Sequence, residues 1–276
     1  ENEGLDSEMH LTINGGDIHI ESGNDGINTN KDGVSVTTVN GGKLTIQVTG
    51  ETGEGDGIDS NGWLVINGGT VVAAACSNSA DAGIDSDMGI HINAGTVIAT
   101  GHMLDRIEDG GQNYAVFNFA QKQTGNETVT MKDQDEKSIL EVKPENAYSI
   151  LIFSSPDLKV GTYTLWSNEK QLVGSAGGMI GGPGMGFGGM GRPEHPDNMQ
   201  PPAGGGQPPE GFTPPEGGNP PGGFNPPEAG DRPEMPEGNR PGNAGGNNMG
   251  AHEMTTDFVV RDGGNMFSGI LQNSEQ

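Results

Sequence analysis

Ile13-Asn14-Gly15-Gly16 is the first of four similar tetrapeptides that recur along the first hundred residues of this chain. The others are Val-Asn-Gly-Gly at 39–42, Ile-Asn-Gly-Gly at 66–69 and Ile-Asn-Ala-Gly at 92–95, at spacings of 26, 27 and 26 residues. A fixed period of about 20–50 residues is typical of stacked repeat proteins, in which each repeat buries its apolar face against its neighbours.

Aliphatic and polar residues alternate after each of these tetrapeptides, with the period of two that is typical of a half-buried β-strand. Strands that recur once per repeat in the same direction stack in parallel, about 4.8 Å apart. We therefore predict an all-β fold, a right-handed parallel β-helix, with the aliphatic residues in one shared interior. Those residues are Ile18, Ile20, Leu44, Ile46, Val71, Ala73, Val97 and Ala99.

A second motif joins a glycine, an aliphatic residue and a short polar stretch, as in Asp-Gly-Ile-Asp-Ser at 56–60. Glycine and asparagine tolerate positive φ, so the motif suits the corner of a coil with its acids facing outward. Stacked carboxylates about 5 Å apart repel by about 3 kcal/mol at an effective dielectric constant of 20. Calcium can relieve this repulsion because it takes six to eight oxygen ligands in flexible geometry. The predicted calcium ligands are Asp25, Asn28, Asn30, Asp56, Asp59, Asn61, Asp81, Asp85 and Asp87.

Stacking predicts how these side chains are arranged. One acidic row holds Asp25, Asp56 and Asp81, and a second holds Asp6, Asn28, Asp59 and Asp85, with Asn30, Asn61 and Asp87 beside it. The alternative is a set of plain turns without a metal, since Asp-Gly and Asn-Gly are common corner sequences. The tetrapeptide asparagines are expected to form a ladder of amide hydrogen bonds through Asn14, Asn40, Asn67 and Asn93.

Charge excludes several classes of partner. The net charge is −25, and residues 1–110 contain 18 Asp and Glu against the basic residues Lys31, Lys43 and Arg106. Nucleic acids and anionic membrane surfaces both require Lys and Arg, so we predict neither as a partner. No apolar run reaches the roughly 18 residues of a membrane span, which argues against membrane insertion. The single cysteine, Cys76, excludes an intramolecular disulfide, and we expect a monomer.

Composition divides the chain into four segments. Residues 1–110 are predicted to form the coils and residues 111–173 a β-rich cap. Residues 174–252 are rich in Gly, Pro and Met and are predicted to be a disordered spacer. Residues 253–276 are expected to supply strands that return to the cap. Because the chain starts at Glu1 inside a repeat motif, we interpret it as a mature or truncated form.

The repeated Asp-Gly-Ile-(Asp/Asn)-(Ser/Thr) followed by Ile-Asn-Gly-Gly-x-(Val/Ile) resembles a bacterial carbohydrate-binding β-helix family of polysaccharide-lyase-like shape, long classed as a domain of unknown function. The resemblance extends over residues 1–173, and the spacer is also similar to those proteins. It implies an extracellular protein that carries calcium and binds cellulose or acidic sugars.

We therefore predict a non-catalytic polysaccharide-binding protein, extracellular or at the bacterial cell surface, that binds cellulose or polygalacturonate with the help of calcium. Trp63 and Tyr114 are the candidates for stacking on a sugar ring. One alternative is a structural or adhesive surface solenoid without a glycan site. Another is a calcium-dependent polysaccharide lyase, which needs an Arg or Lys base. An inverting glycoside hydrolase is disfavoured because paired Asp-Asp and Gly-His-Gly signatures are absent from the sequence.

Overall fold

Four stacked coils form the first part of the computed structural model, which describes residues 2–177 and 254–273. The described residues form an all-β fold of strands and turns and contain no helix. The strands of the coils are β1 (Leu5–Ser7), β2 (His10–Ile13), β3 (Asp17–Ser22), β4 (Ile27–Thr29), β5 (Val36–Val39), β6 (Lys43–Val48), β7 (Ile58–Ser60), β8 (Trp63–Ile66), β9 (Thr70–Ala74), β10 (Gly89–Ile92) and β11 (Thr96–Gly101).

Equivalent strands of successive coils pair in parallel, which gives the solenoid three faces. The first face contains β1, β4 and β7, the second β2, β5, β8 and β10, and the third β3, β6, β9 and β11. On the third face Ile18 lies opposite Leu44, Leu44 opposite Val71, and Val71 opposite Val97. The predicted parallel coils and their shared aliphatic interior are therefore confirmed.

The interior of the coils is a narrow aliphatic core. Because side chains alternate between the two sides of each strand, one residue in two points inward and packs on its equivalents in the next coil. Burying each such side chain stabilises the fold by roughly 1.5–3 kcal/mol. Fully buried members of this core include Leu44, Ile46, Ile58, Leu64, Ile66, Val71, Ile84 and Ile90.

The Gly-Gly pairs turn the chain from the second face to the third. Gly69 has a φ of 82°, in the left-handed region that favours glycine. A Cβ atom at Gly69 would lie 2.6 Å from the carbonyl oxygen of Gly42 in the preceding coil. That carbonyl accepts a 2.8 Å hydrogen bond from the N–H of Thr70. The repeated glycine therefore serves both the turn and the close approach of adjacent coils.

A β-rich cap follows the coils and extends their third face. Its strands are β12 (Tyr114–Gln123), β13 (Val129–Lys132), β14 (Ser138–Val142), β15 (Tyr148–Ser154), β16 (Gly161–Ser167), β17 (Lys170–Gly177), β18 (Phe258–Val260) and β19 (Gly264–Gln272). β15 pairs antiparallel with β11, and the sheet continues through β12, β19, β17, β16, β13 and β14, with β18 paired to β16. One sheet thus runs from the first coil to the far edge of the cap.

The cap has an aromatic core of its own, separated from the aliphatic core by this sheet. Along β12, Val116 packs into the solenoid interior, whereas Phe117 packs into the cap. The ring of Phe117 stacks on that of Phe267, with centroids 5.5 Å apart. The side-chain amide of Asn146 donates to the carbonyl oxygens of Val48 and Ala75, both at 2.7 Å. The two Asn146 hydrogen bonds and the pairing of β15 with β11 attach the cap to the coils.

The last strands return to the cap as expected. β18 pairs with β16, and β19 lies between β12 and β17. The predicted spacer at 174–252 falls outside the described residues from residue 178 onward, and the division into four segments stays a prediction. Within 2–177 and 254–273, no helix has the length and apolar character needed to cross a membrane.

Candidate functional site

Three aspartates from two adjacent coils meet at one corner of the solenoid. Asp56, Asp59 and Asp85 each place a carboxylate oxygen within 4.8 Å of the other two. Asp85 is buried and the other two are half-buried. We call this cluster the acidic corner. Three clustered oxygen donors form a group that can hold a metal ion, and oxygen donors are the kind that a hard cation prefers.

Backbone pairing between coils brings these carboxylates together. The N–H of Ile58 donates to the carbonyl oxygen of Gly83 at 3.1 Å, and the N–H of Asp85 donates to that of Ile58 at 2.7 Å. Ile58 and Ile84 both point into the aliphatic core and are fully buried. Because side chains alternate along an extended chain, the residues that follow these two isoleucines point outward on the same corner.

Asp56 has an unusual electrostatic environment. Its Oδ1 accepts a 2.5 Å hydrogen bond from the N–H of Ala82, a residue of the next coil. Burial, followed by the nearby carboxylate of Asp85, raises the pKa of Asp56 to about 9, although the Ala82 hydrogen bond acts in the opposite direction. Without a cation, the acidic corner therefore favours a protonated Asp56 at neutral pH.

The same corner exists one coil earlier with a weaker set of donors. Asp25 accepts a 2.8 Å hydrogen bond from the N–H of Asp56, and Asn28 lies opposite Asp59 in register. Burial raises the pKa of Asp25, and the carboxylate of Glu3 adds to the effect. The Oδ1 atom of Asn28 is buried and accepts no hydrogen bond from any described residue. An amide replaces a carboxylate here, so this corner attracts a cation less strongly.

The predicted row of Asp25, Asp56 and Asp81 is wrong at its last member. The N–H of Gly57 donates to the carbonyl oxygen of Ala82, so Ala82 follows Asp56 in the stack. Asp81 instead accepts a 2.5 Å hydrogen bond from the N–H of Gly55, and it also accepts one from the hydroxyl of Ser79. The shift arises because the pairing of Gly57 with the next coil sets the register. Asp81 lies one residue before Ala82, the position that is equivalent to Asp56.

The remaining predicted ligands lie beside the acidic corner but outside the cluster. Asn30 donates to a carboxylate oxygen of Asp6 at 2.6 Å, and the amide of Asn61 donates to the carbonyl oxygen of Asn30 at 3.1 Å. Asp87 is exposed, and its N–H donates to the carbonyl oxygen of Ser60. Asn30, Asn61 and Asp87 therefore stack on one another as predicted, and the side chains of Asn30 and Asn61 bridge adjacent coils.

The two aromatic candidates for sugar stacking are buried, and we correct that prediction. Trp63 is 3% exposed and packs against the ring of His91, with centroids 5.7 Å apart. Tyr114 is 2% exposed, and its hydroxyl donates to the carbonyl oxygen of Ile107 at 3.5 Å. Neither ring has a face open to a sugar.

The asparagine ladder is present as predicted. The side-chain amide of Asn40 donates to the side-chain oxygen of Asn14 at 2.8 Å, that of Asn67 to Asn40 at 2.9 Å, and that of Asn93 to Asn67 at 2.8 Å. The two inner amides, Asn40 and Asn67, therefore each use one donor and one acceptor along the axis of the solenoid, whereas Asn14 only accepts and Asn93 only donates. The ladder holds the coils in register and leaves the acidic corner as the candidate binding feature.

Asp105 was not predicted to belong to this region. Its Oδ2 accepts a 2.9 Å hydrogen bond from the N–H of Ser86, the residue that follows Asp85. Asp105 lies beyond the last tetrapeptide, where the repeat pattern has ended. No periodic signal in the sequence could have connected it to the acidic corner.

Comparison with known proteins links the coils to carbohydrate binding. A family model described as "Carbohydrate-binding domain-containing protein" matches residues 1–110, the span that holds all four coils and the acidic corner. No curated protein and no solved structure matches the chain. The matched span supports a carbohydrate-binding role for the solenoid, and it ends before the first strand of the cap.

Proposed function

We propose that the solenoid binds an acidic polysaccharide such as polygalacturonate, without catalysis, outside the bacterial cell and with calcium at the acidic corner. The observation that carries the proposal is the convergence of three carboxylates inside the span that resembles a carbohydrate-binding family. The extended, regular surface of stacked coils suits an extended polymer.

The donor set of the acidic corner fits calcium. Asp56, Asp59 and Asp85 supply carboxylate oxygens, and Asn28, which lies opposite Asp59 in the preceding coil, has a buried Oδ1 that accepts no hydrogen bond from any described residue. Calcium accepts mixed carboxylate and amide oxygens at flexible geometry. When bound, it offers a positive charge that a uronate carboxylate can approach on a chain whose net charge is −25.

The buried aromatics favour an acidic glycan over cellulose at the coils. Neutral glucans are usually held by exposed aromatic rings that stack on the sugar. Trp63 and Tyr114 are too buried to do so. Charge is the property that the coils can use for recognition.

The contacts of Arg106, one of the three basic residues of the coils, support a binding role over a lyase that would use this residue as its base. A lyase needs a free Arg or Lys beside the metal. Arg106 is already engaged, because its Nε lies 2.6 Å from a carboxylate oxygen of Glu108 and its guanidinium donates to the carbonyl oxygen of Met88 at 2.7 Å. Its role is therefore structural, at the end of the last coil.

The test is sedimentation of the full chain with insoluble polygalacturonate in calcium and in EDTA. We expect binding in calcium, at least tenfold weaker binding in EDTA, and a similar loss in Asp59→Asn and Asp85→Asn. Asp135→Asn, on an exposed turn of the cap, makes the same change of charge and should bind normally. Equal binding in EDTA overturns the calcium site. Absence of binding in both conditions overturns the proposed binding of acidic polysaccharide by the solenoid and favours a structural surface solenoid.

A further inference from the structure

A groove of about 460 Å³ opens at one end of the cap, far along the chain from the acidic corner. It lies where the parallel strands β12 and β19 end, beside the start of β15 and the Leu172 position of β17. Its volume falls in the range of roughly 300–1,000 Å³ that is typical of small-molecule sites. Residues 1–110, the span that matches the carbohydrate-binding model, contribute nothing to its lining.

The base of the groove is apolar and rigid. Phe119, Leu172 and Ile270 line it and are each at least nine-tenths buried. The ring of Phe119 meets that of Tyr148 edge to face, with centroids 5.4 Å apart. Because these side chains belong to paired strands and to the aromatic core of the cap, the base is formed before any ligand arrives.

The rim of the groove is rich in side-chain amides. Gln121, Gln123 and Gln272 all line it. Gln123 donates one amide N–H to the backbone carbonyl of Gln121 at 2.7 Å, and its oxygen remains an acceptor. The oxygen of Gln272 accepts from the ammonium group of Lys170 at 3.1 Å, and its amide nitrogen remains a donor. Donors and acceptors thus stand side by side, the arrangement that pairs with vicinal hydroxyl groups.

Tyr148 adds a hydroxyl to the lining. Burial, followed by the carboxylate of Glu127, raises the pKa of Tyr148, so the phenol stays protonated and can donate a hydrogen bond. Tyrosine combines a buried ring with a polar tip, which suits a ligand that has both apolar and hydroxylated faces.

The groove carries no net charge although the chain is strongly acidic. Its lining contains one basic and one acidic side chain, those of Lys122 and Glu127. Both are engaged inside the protein, because Lys122 donates to the carbonyl oxygen of Ser77 and Glu127 accepts a 2.6 Å hydrogen bond from the hydroxyl of Ser167. An uncharged ligand therefore suits this groove better than a uronate.

We propose that the groove is a second binding site, independent of calcium, for a short neutral oligosaccharide. The amides at the rim and the hydroxyl of Tyr148 would pair with sugar hydroxyls, and the side chain of Leu271, which lines the groove and is 45% exposed, would contact the C–H face of a ring. The choice of a saccharide among hydroxyl-rich ligands rests on the proposed carbohydrate-binding function, whereas the existence of the site does not.

The test is saturation-transfer NMR and calorimetry of the full chain with cellotetraose, xylotetraose and mannotetraose, all in EDTA. We expect at least one of them to bind, and Gln121→Ala and Tyr148→Phe to weaken that binding about tenfold each. Asn118→Ala is the matched control, because Asn118 lies on the same strand but lines a separate groove with Ser149 and Ser268. Melting curves establish that each variant is folded.

The outcomes separate this proposal from the first one. Binding that survives Asp59→Asn but not Gln121→Ala supports the groove, whatever polygalacturonate does. Binding by none of the three sugars overturns the groove and leaves the acidic corner untouched. Binding that Asn118→Ala weakens as much as Gln121→Ala does also overturns the groove.

Discussion

The Oδ1 atom of Asp56 lies 2.5 Å from the backbone nitrogen of Ala82, so a carboxyl group of one coil accepts a hydrogen bond from the backbone of the next. Asp25 does the same one coil earlier, with the N–H of Asp56 as donor at 2.8 Å. The side chain of Asp56, which links two coils by this hydrogen bond, is thus also part of the acidic corner. A cation bound at the acidic corner would therefore act on a side chain that also holds two coils together.

Stability in EDTA should fall as pH rises. The pKa of Asp56 is raised to about 9 by burial and then by Asp85, so between about pH 4 and pH 9 the folded chain holds a proton that the unfolded chain has lost. The free energy of unfolding therefore decreases with pH over that window. Asp56→Asn retains the acceptor for Ala82 and should flatten the dependence of Tm on pH. Parallel profiles for wild type and Asp56→Asn would contradict this assignment.

Calcium should raise the Tm of the wild-type chain at pH 7. A ligand that binds the folded state alone stabilises it by about 2.7 kcal/mol at a concentration one hundred times its Kd. Asp59→Asn removes one of the three carboxylates and should cut the gain to less than half, whereas Asp135→Asn should retain it. Differential scanning calorimetry in EDTA and in calcium measures the difference. An equal gain in all three proteins would place the ion elsewhere.

Removing an amide from the middle of the asparagine ladder should cost more than removing one from its end. Asn67 donates to Asn40 and accepts from Asn93, whereas Asn14 takes part in one ladder bond. At about 1 kcal/mol for each hydrogen bond, Asn67→Ala should destabilise the fold by about 2 kcal/mol and Asn14→Ala by about 1 kcal/mol. Urea denaturation gives both values, and equal losses would argue against a continuous ladder.

Gly69→Ala should be among the most damaging single changes in the coils. Its φ is 82°, and the added methyl group would lie 2.6 Å from the carbonyl oxygen of Gly42. We expect a loss above about 4 kcal/mol, because both backbone strain and a clash between coils arise. Gly53→Ala is the control, since Gly53 also has positive φ but has open space around its Cβ direction. It should lose only about 1–2 kcal/mol, the cost of a left-handed backbone for a residue that has a Cβ.

A result in which Gly53→Ala and Gly69→Ala lose the same stability would show that backbone conformation alone matters at these corners. The close packing of adjacent coils through Gly42 would then contribute little. Chemical denaturation of both variants under the same conditions makes the comparison direct.

Trp63 shows why side-chain type alone did not predict a binding surface. It follows a glycine at the start of β8, a position that the motif places near a corner and within reach of solvent. The structure instead packs its ring against His91 of β10, an equivalent strand one coil later. Burial of a residue on the outer side of a sheet depends on what the neighbouring coil places over it, and the repeat pattern does not contain that information.

The amino-acid sequence by itself determined the stacking of the coils, because a constant period, alternating aliphatic residues and Gly-Gly corners act locally and repeat in each coil. The asparagine ladder follows from the same periodicity. The sequence also placed Asp59 and Asp85 in one row, but only the tertiary structure decided that Asp56 converges with them and that Ala82 rather than Asp81 follows Asp56 in the stack. The tertiary structure also created the groove of the cap. Its lining residues, from Phe119 to Gln272, are far apart in the sequence, and they come together because β19 pairs in parallel with β12 and antiparallel with β17. Pairing between such distant strands does not repeat at a fixed interval, so no periodic pattern in the sequence predicts it.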